Sequence, residues 1–247
     1  MSTLEIQGRL GNNIIQLMSA FLFCEKHNLN LFFEDRLYNY QSENVTYNYS
    51  FNSLLNQEVV NLVKKNNTLN CENKIIVNDD NFVEFYYKNK IDCDVFFKGY
   101  FYVFDILEKE REKIKKLFNV SYEYVDENDL FIHYRLGDIN NSNLSLPLEY
   151  YVESIDSFKY NKGFISSESL NDSKCKYLIQ KYNLTPVKLN PYETIMFGKN
   201  FKNIILSEST FSFLIGYFSN AKNIIYNKKD SKWGDNFLFN FSSFKFN

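Results

Sequence analysis

The sequence predicts an α/β protein built from two Rossmann-like lobes with parallel sheets and a cleft between the lobes. Three observations lead to this prediction. Short apolar strands alternate with segments of helical periodicity in both halves of the 247-residue chain. Several strands run directly into turns rich in glycine or hydroxyl side chains, as the strands of βα units do. Hydrophobic residues make up 45% of the chain, which is ample for a core.

The first half begins as a strand, a glycine turn and a helix. We predict a strand over 4–6, a turn over 8–13 (Gly-Arg-Leu-Gly-Asn-Asn), and a helix in which apolar residues from 14 to 24 recur at helical spacing. A second strand over 29–33 completes a β-α-β unit, which favours a parallel sheet. The patterns further predict a loop over 38–52, a helix over 51–63, strands over 74–77 and 94–102, and a helix over 108–118.

The second half repeats the alternation after a polar run at 125–129. We therefore predict an N-terminal lobe over 1–127 and a C-terminal lobe over 128–247. The predicted strands of the second lobe are 130–133, 163–166, 185–189, 203–207 and 223–226, and its predicted helices are 148–158, 173–182, 192–199 and 211–219.

Composition and charge exclude several classes of protein. The net charge of −2 gives no basic footprint for nucleic acid. The four cysteines include no C-x-x-C pair, which argues against a zinc site or a redox motif. No apolar run approaches the length of a membrane span, so we expect a cytoplasmic protein without one.

The segment 130–138 is the most informative motif in the chain. An apolar strand ends in His133, Arg135, Gly137 and Asp138, and ionisable groups after a strand are typical of a site at the carboxyl edge of a sheet. Arg135 has the charge and geometry to hold a diphosphate, and Gly137 permits a tight turn. The alternative is a surface ion pair of Arg135 with Asp138 and a structural histidine.

Three other turns join a strand to a helix and suit phosphate binding. Gly8, Gly11 and Asn12 lie in the first turn of the chain, where glycine lets backbone approach a ligand and a helix start favours anions. The other two turns carry Ser166 at 163–169 and Ser209, Thr210 and Ser212 at 206–212. The alternatives are an ordinary turn, a polar loop and a helix cap, respectively.

These segments, in this order, resemble the α-1,2-fucosyltransferase family, glycosyltransferase family 11. The resemblance covers nearly the whole chain. It rests on five segments that are similar to the family patterns G-G-L-G-N-Q-x-x-Q, G-Y-W/F, H-x-R-R-G-D, L-P-x-x-Y-Y and S-T-F-S-W, namely residues 8–16, 97–101, 133–138, 146–151 and 209–213.

The resemblance implies a GT-B-like fold and an inverting, metal-independent transfer of L-fucose from GDP-L-fucose to a glycan hydroxyl, which we expect to be O2 of a galactose. No cofactor is implied. Arg135 would neutralise the leaving GDP, and Asp138 is the nearest candidate for a general base. The expected donor-binding residues of the C-terminal lobe are His133, Gly137, Ser166, Ser209, Thr210 and Ser212, and those facing them from the N-terminal acceptor lobe are Gly8, Gly11 and Asn12.

The sequence also departs from the family pattern. Leu136 stands where the second arginine of H-x-R-R-G-D is expected, Phe213 replaces a tryptophan, and an expected S-D-D element reads Ser-Ser-Glu at 166–168. Two rival hypotheses follow, a family member with another nucleotide-sugar donor and a degenerate member that binds glycans or nucleotides without turnover. A third rival is an unrelated Rossmann enzyme such as a methyltransferase, in which Glu34 or Asp35 would bind ribose.

Overall fold

The structure is a computed structural model, and it describes residues 2–34, 37–42, 45–51, 74–137, 145–227 and 245–246. The chain forms two compact units, one of Met1–Tyr38 with Asn48–Asn119 and one of Asn39–Tyr47 with Val120–Asn247. Each unit has its own parallel sheet and helices. The predicted α/β class with two parallel sheets is therefore confirmed.

The secondary structure elements alternate along both units. The strands are β1 (Ser2–Leu4), β2 (Leu31–Phe33), β3 (Leu37–Ser42), β4 (Val45–Ser50), β5 (Lys74–Val77), β6 (Asp94–Phe97), β7 (Leu130–His133), β8 (Gly163–Ser166), β9 (Thr185–Pro186), β10 (Asn203–Ile205), β11 (Asn223–Tyr226) and β12 (Lys245–Phe246). The helices are α1 (Leu10–Lys26), α2 (Phe82–Tyr86), α3 (Phe104–Lys109), α4 (Arg111–Leu117), α5 (Leu148–Asp156), α6 (Ser173–Tyr182), α7 (Pro191–Gly198) and α8 (Thr210–Phe218).

The first unit contains a four-stranded parallel sheet in the order β2-β1-β6-β5. Its core contains an aromatic cluster, in which Phe23 of α1 packs edge-on against Phe97 of β6 and against Phe82 of α2, with ring centroids 5.1 and 5.4 Å apart. Edge-to-face pairs of this kind stabilise beyond the area they bury. Phe23, Phe82 and Phe97 thus form core contacts.

The second unit contains a six-stranded parallel sheet in the order β12-β11-β10-β7-β8-β9. The chain leaves β7 towards β8 and β9 on one side, and then returns to β10 and β11 on the other side. The carboxyl ends of β7 and β10 therefore lie side by side, in register through Ile132 and Ile205, where the strand order reverses. Open α/β sheets bind their ligands at this topological switch point.

Most predicted elements have counterparts, and five have the predicted bounds: β5, β7, β8, β11 and α6. The predicted loop over 38–52 is wrong, because β3 and β4 form a two-stranded sheet there. Each strand carries two tyrosines at alternate positions, 38 and 40 in β3 and 47 and 49 in β4, which is a β pattern. The short helix α2 was not predicted, and residues 52–63 of the predicted helix 51–63 lie outside the described residues.

Candidate functional site at the switch point of the second sheet

The hydroxyl of Ser207 joins the two strand ends at the switch point. It donates to the carbonyl oxygen of His133 at 2.8 Å and accepts from the backbone N–H of Arg135 at 2.6 Å. Since one hydroxyl has a single hydrogen, the contact of 2.5 Å with the Tyr151 hydroxyl must be donated by Tyr151. Ser207 is only 2% exposed. Its bonds to His133 and Arg135, the Ser207 junction, extend the pairing of β7 and β10 beyond their last ladder hydrogen bonds.

The residues that follow β7 keep the alternation of a strand. Tyr134 and Leu136 are fully buried and belong to the hydrophobic core of the unit. His133 and Arg135 therefore occupy the opposite side of the extended backbone. The Arg135 side chain is partly buried, and the bond from its N–H to Ser207 fixes its backbone beside the end of β10.

The ring of His133 is held by the start of α8. Its Nδ1 lies 2.6 Å from the Ser212 hydroxyl, and its ring centroid lies 4.9 Å from that of Phe211. Burial, together with the positive charge of Arg135, lowers the pKa of His133 to about 3. His133 is therefore a neutral imidazole at physiological pH.

Ser209 caps α8. Its hydroxyl accepts from the N–H of Ser212 at 3.0 Å, and its carbonyl oxygen accepts from the N–H of Phe213 at 2.9 Å. The first two N–H groups of the helix, those of Thr210 and Phe211, have no acceptor within a helix by its geometry. The loop after β10 thus presents the positive end of a nine-residue helix beside Arg135 and His133.

The loops that follow β7 and β8 also meet. Gly137 has a φ of +48°, and a Cβ at this position would lie 3.1 Å from Oε2 of Glu168. Glycine adopts this backbone conformation at the lowest cost, so Gly137 favours the turn after Arg135. Ser166, the last residue of β8, is buried and pairs in register with His133.

Two tyrosines of α5 support the switch point, and no role was predicted for either of them from sequence. The single hydrogen of the Tyr150 hydroxyl is shared between the carbonyl oxygens of Leu206 and Ile225, at 2.9 and 3.3 Å, while Tyr151 donates to Ser207. Both tyrosines lie in the L-P-x-x-Y-Y segment, and this was the sequence signal from which their role could have been predicted. Glu208, which is 1% exposed, was also missed, and its carboxylate adds to the effect of burial in raising the pKa of Tyr150.

The predicted residues of the first unit form a separate polar cluster at the carboxyl end of β1. Gly8 has a φ of +81°, and a Cβ there would lie 2.6 Å from Nδ2 of Asn12. Oδ1 of Asn12 accepts from the Tyr102 hydroxyl at 3.2 Å. Gly11 is buried in the first turn of α1. Gly8 thus permits close packing of the turn on Asn12, whose amide Tyr102 helps to orient.

Buried polar side chains of α1 join this turn to the segment that follows β6. Nε2 of Gln16 donates to the carbonyl oxygen of Gly99 at 2.7 Å, and the Ser19 hydroxyl donates to that of Phe101 at 3.0 Å. The Asp79 carboxylate accepts from the N–H of Phe101 at 2.6 Å, where the backbone adopts a φ of +54°. The segments 8–16 and 97–101, which carry two of the family-like patterns and are far apart in sequence, are thus hydrogen-bonded to each other.

The structure therefore gathers His133, Arg135, Gly137 and the residues of the other predicted C-terminal turns at one edge of the second sheet. It places Gly8, Gly11 and Asn12 in the first unit. Asp138 lies outside the described residues. Within the described residues, no group of three or more His, Cys, Asp or Glu is arranged to hold a metal ion. No helix in that part of the chain is long and apolar enough to cross a membrane.

Comparison with known proteins identifies the fold. No protein-family model matches the sequence, and no curated protein matches it either. The solved structure of an arginine-to-lysine mutant of Arabidopsis thaliana FUT1 in complex with GDP is 14% identical, over 95% of this chain and 71% of that chain, with a TM-score of 0.54. POFUT1 in complex with GDP-fucose is 10% identical, over 89% and 94% respectively, with a TM-score of 0.51. The chain thus has the α/β fold of solved fucosyltransferases.

Proposed function

We propose that this protein is an inverting, metal-independent glycosyltransferase of the α-1,2-fucosyltransferase family that uses GDP-L-fucose as its donor. The observation that carries the proposal is the convergence of Arg135, His133 and the start of α8 at the topological switch point of the second sheet. The two solved structures compared above were determined in complex with GDP-fucose and GDP. The chemistry of the site agrees with such a ligand.

Arg135 is the residue to which we assign the leaving diphosphate. Cleavage of the bond between fucose and GDP develops negative charge on the diphosphate oxygens, and a cation placed before the reaction stabilises that charge without reorganisation. The guanidinium carries a positive charge, and its fork of N–H groups matches two oxygens of a diphosphate. The N–H groups of Thr210 and Phe211 at the start of α8 add further donors for the same anion.

Arg135 must be held in place for this role, and the Ser207 junction supplies the support. A cation on a freely moving loop would lose much of its effect to reorganisation. Here the backbone N–H of Arg135 is bonded to a buried hydroxyl that also binds the carbonyl of His133. Gly137 then turns the chain against Glu168. We propose that Gly137 and Ser166 shape the site in this way.

Inversion requires the acceptor hydroxyl to attack from the side opposite the leaving GDP and to lose its proton. We retain Asp138 as the proposed general base, because it follows Gly137 directly in the sequence. Asp138→Asn keeps the shape of the side chain and removes its basicity. We expect the rate of transfer to fall by at least about 10²-fold, while the affinity for GDP stays unchanged.

We assign acceptor recognition to the first unit, where three aromatic rings form a ladder. The rings of Tyr100, Tyr102 and Phe104 stack nearly parallel, with centroids 5.7 and 5.9 Å apart, and Tyr100 is 36% exposed. A flat aromatic face with polar groups at its edge suits a sugar ring, whose faces are apolar and whose rim carries hydroxyls. Asn12 lies at that edge through its bond with Tyr102. We propose O2 of a galactose in the acceptor glycan as the nucleophile.

A nucleotide titration tests the donor assignment. GDP, GDP-fucose, UDP and TDP are titrated into the purified protein with and without EDTA, and transfer is then measured as GDP release in the presence of galactosides. We expect selective GDP binding that EDTA does not change. For Arg135→Ala we expect at least 10-fold weaker GDP binding and a rate about 10²–10³-fold lower, and for Arg135→Lys an intermediate loss because lysine lacks the bidentate fork.

The matched control is Lys176→Ala, which removes one positive charge from an exposed position on α6 of the same unit. It should leave GDP affinity unchanged, so a loss confined to Arg135 is not an effect of net charge. If the protein prefers UDP or TDP, the assignment of GDP-fucose as donor is wrong and the assignment of the binding site stands. Binding without sugar release would favour a degenerate member, and the absence of nucleotide binding would refute the proposal.

A further inference from the structure

A buried chain of hydrogen bonds runs from the start of α8 to the ring of His133. The Ser209 hydroxyl donates to the Ser212 hydroxyl at 3.1 Å, and the Ser212 oxygen lies 2.6 Å from Nδ1 of His133. Ser209 and Ser212 are 2% and 0% exposed. The bonds within this chain therefore determine where its hydrogens lie.

The direction of the bonds follows from counting donors and acceptors. The Ser209 oxygen accepts from the N–H of Ser212 and uses its own hydrogen to reach the Ser212 oxygen. Among the described residues, the acceptor that the Ser212 hydrogen then reaches is Nδ1 of His133. In the reverse direction, the Ser209 hydrogen would be left without an acceptor in a buried position, which is costly. The satisfied arrangement protonates His133 on Nε2.

We propose that Ser212 is a positioning residue, which holds His133 as the neutral tautomer protonated on Nε2 so that Nε2–H donates to an oxygen of the bound donor nucleotide. The identity of that acceptor rests on the proposed function, whereas the tautomer stands on the hydrogen bonds alone. The stack of the His133 ring on Phe211 restricts its rotation as well. His133 thereby supplies a directional contact beside the Arg135 cation without adding a second charge.

Imidazole ¹⁵N NMR reads the tautomer directly and independently of activity. The chain has only two histidines, and His27→Gln removes the other one, which assigns the signals of His133. We expect one neutral species between pH 5 and 8, with a protonated Nε2 and an unprotonated Nδ1. A protonated Nδ1, or an equal mixture of tautomers, would overturn the proposal.

Matched variants then test the link to the ligand. Ser212→Ala should produce a mixture of His133 tautomers and weaken GDP binding about 5- to 10-fold, whereas Ser212→Thr, which keeps the hydroxyl, should restore both. His133→Gln places an amide near the position of Nε2 and should bind GDP more tightly than His133→Asn, whose amide is near the position of Nδ1. This pair tests the inference even where the Ser212 variants fold poorly.

The outcomes separate this inference from the proposed function. If the wild-type protein binds GDP, and Ser212→Ala and both His133 variants bind it with the same affinity, the positioning role is refuted. The assignment of the donor then stands. A wild-type protein that binds no nucleotide refutes the donor and the contact from Nε2, while the NMR spectrum still decides the tautomer.

Discussion

Replacement of Ser207 by alanine should destabilise the second unit more than any single hydrogen bond would predict. The Ser207 hydroxyl makes three bonds, to the carbonyl of His133, the N–H of Arg135 and the hydroxyl of Tyr151. Each such bond contributes about 1 kcal/mol net, so Ser207→Ala should lower the free energy of unfolding by about 3 kcal/mol. Tyr151→Phe removes one of the three bonds and should cost about 1 kcal/mol.

The double variant provides the decisive comparison. In Ser207→Ala the Tyr151 hydroxyl has already lost its acceptor, so removing that hydroxyl adds no further cost. The double variant should therefore be less destabilised than the sum of the single variants, by about 1 kcal/mol. The assay is urea unfolding followed by circular dichroism, with the transitions of the two units fitted separately. A cost below about 1 kcal/mol for Ser207→Ala, or strict additivity, would refute the described junction.

Two further predictions concern the same edge of the sheet. Gly137→Ala should cost about 1–2 kcal/mol of unfolding free energy, because alanine disfavours the positive φ and its Cβ would crowd Glu168; equal stability in urea would contradict this. Because the pKa of His133 is lowered to about 3, the unfolded state binds a proton near pH 6.5 that the native state does not, and stability is lost as the pH falls from about 6.5 towards 3. Between pH 7 and 5.5 this loss should be about 1 kcal/mol, and it should be smaller in His133→Gln; parallel curves would contradict the assignment.

The proximity of the candidate residues could be predicted from sequence because the carboxyl ends of parallel strands meet at one edge. Arg135 and Thr210 were expected together for that reason, and the structure places their loops side by side. The bonds that hold the loops could not be predicted. The contact of Ser207 with Tyr151 depends on β7 and β10 being neighbours, and strand order is a tertiary property that no local pattern encodes.

The same limit applies to the helix start at Ser209. A serine before an apolar helix predicts either a cap or a phosphate ligand, and both alternatives remained open. In the structure the Ser209 hydroxyl is committed to Ser212, and that of Ser212 to His133. We therefore propose that these hydroxyls act on the site through His133. The backbone N–H groups of Thr210 and Phe211 are the groups at this helix start to which we assign an anion. Sequence could not distinguish the two roles because both require the same residue types.

The buried position of Leu136 explains why leucine is accommodated where the H-x-R-R-G-D pattern that this segment resembles has a second arginine. Leu136 is fully buried in the core of the second unit, on the side of the backbone opposite Arg135. A guanidinium there would need a partner for its charge, and burying an unpaired charge costs several kcal/mol. Leu136→Arg should therefore lower the free energy of unfolding by about 3 kcal/mol or more and should not strengthen GDP binding. A stable variant with tighter GDP binding would show that position 136 can reach the nucleotide, and that the alternation of core and site residues after β7 is wrong.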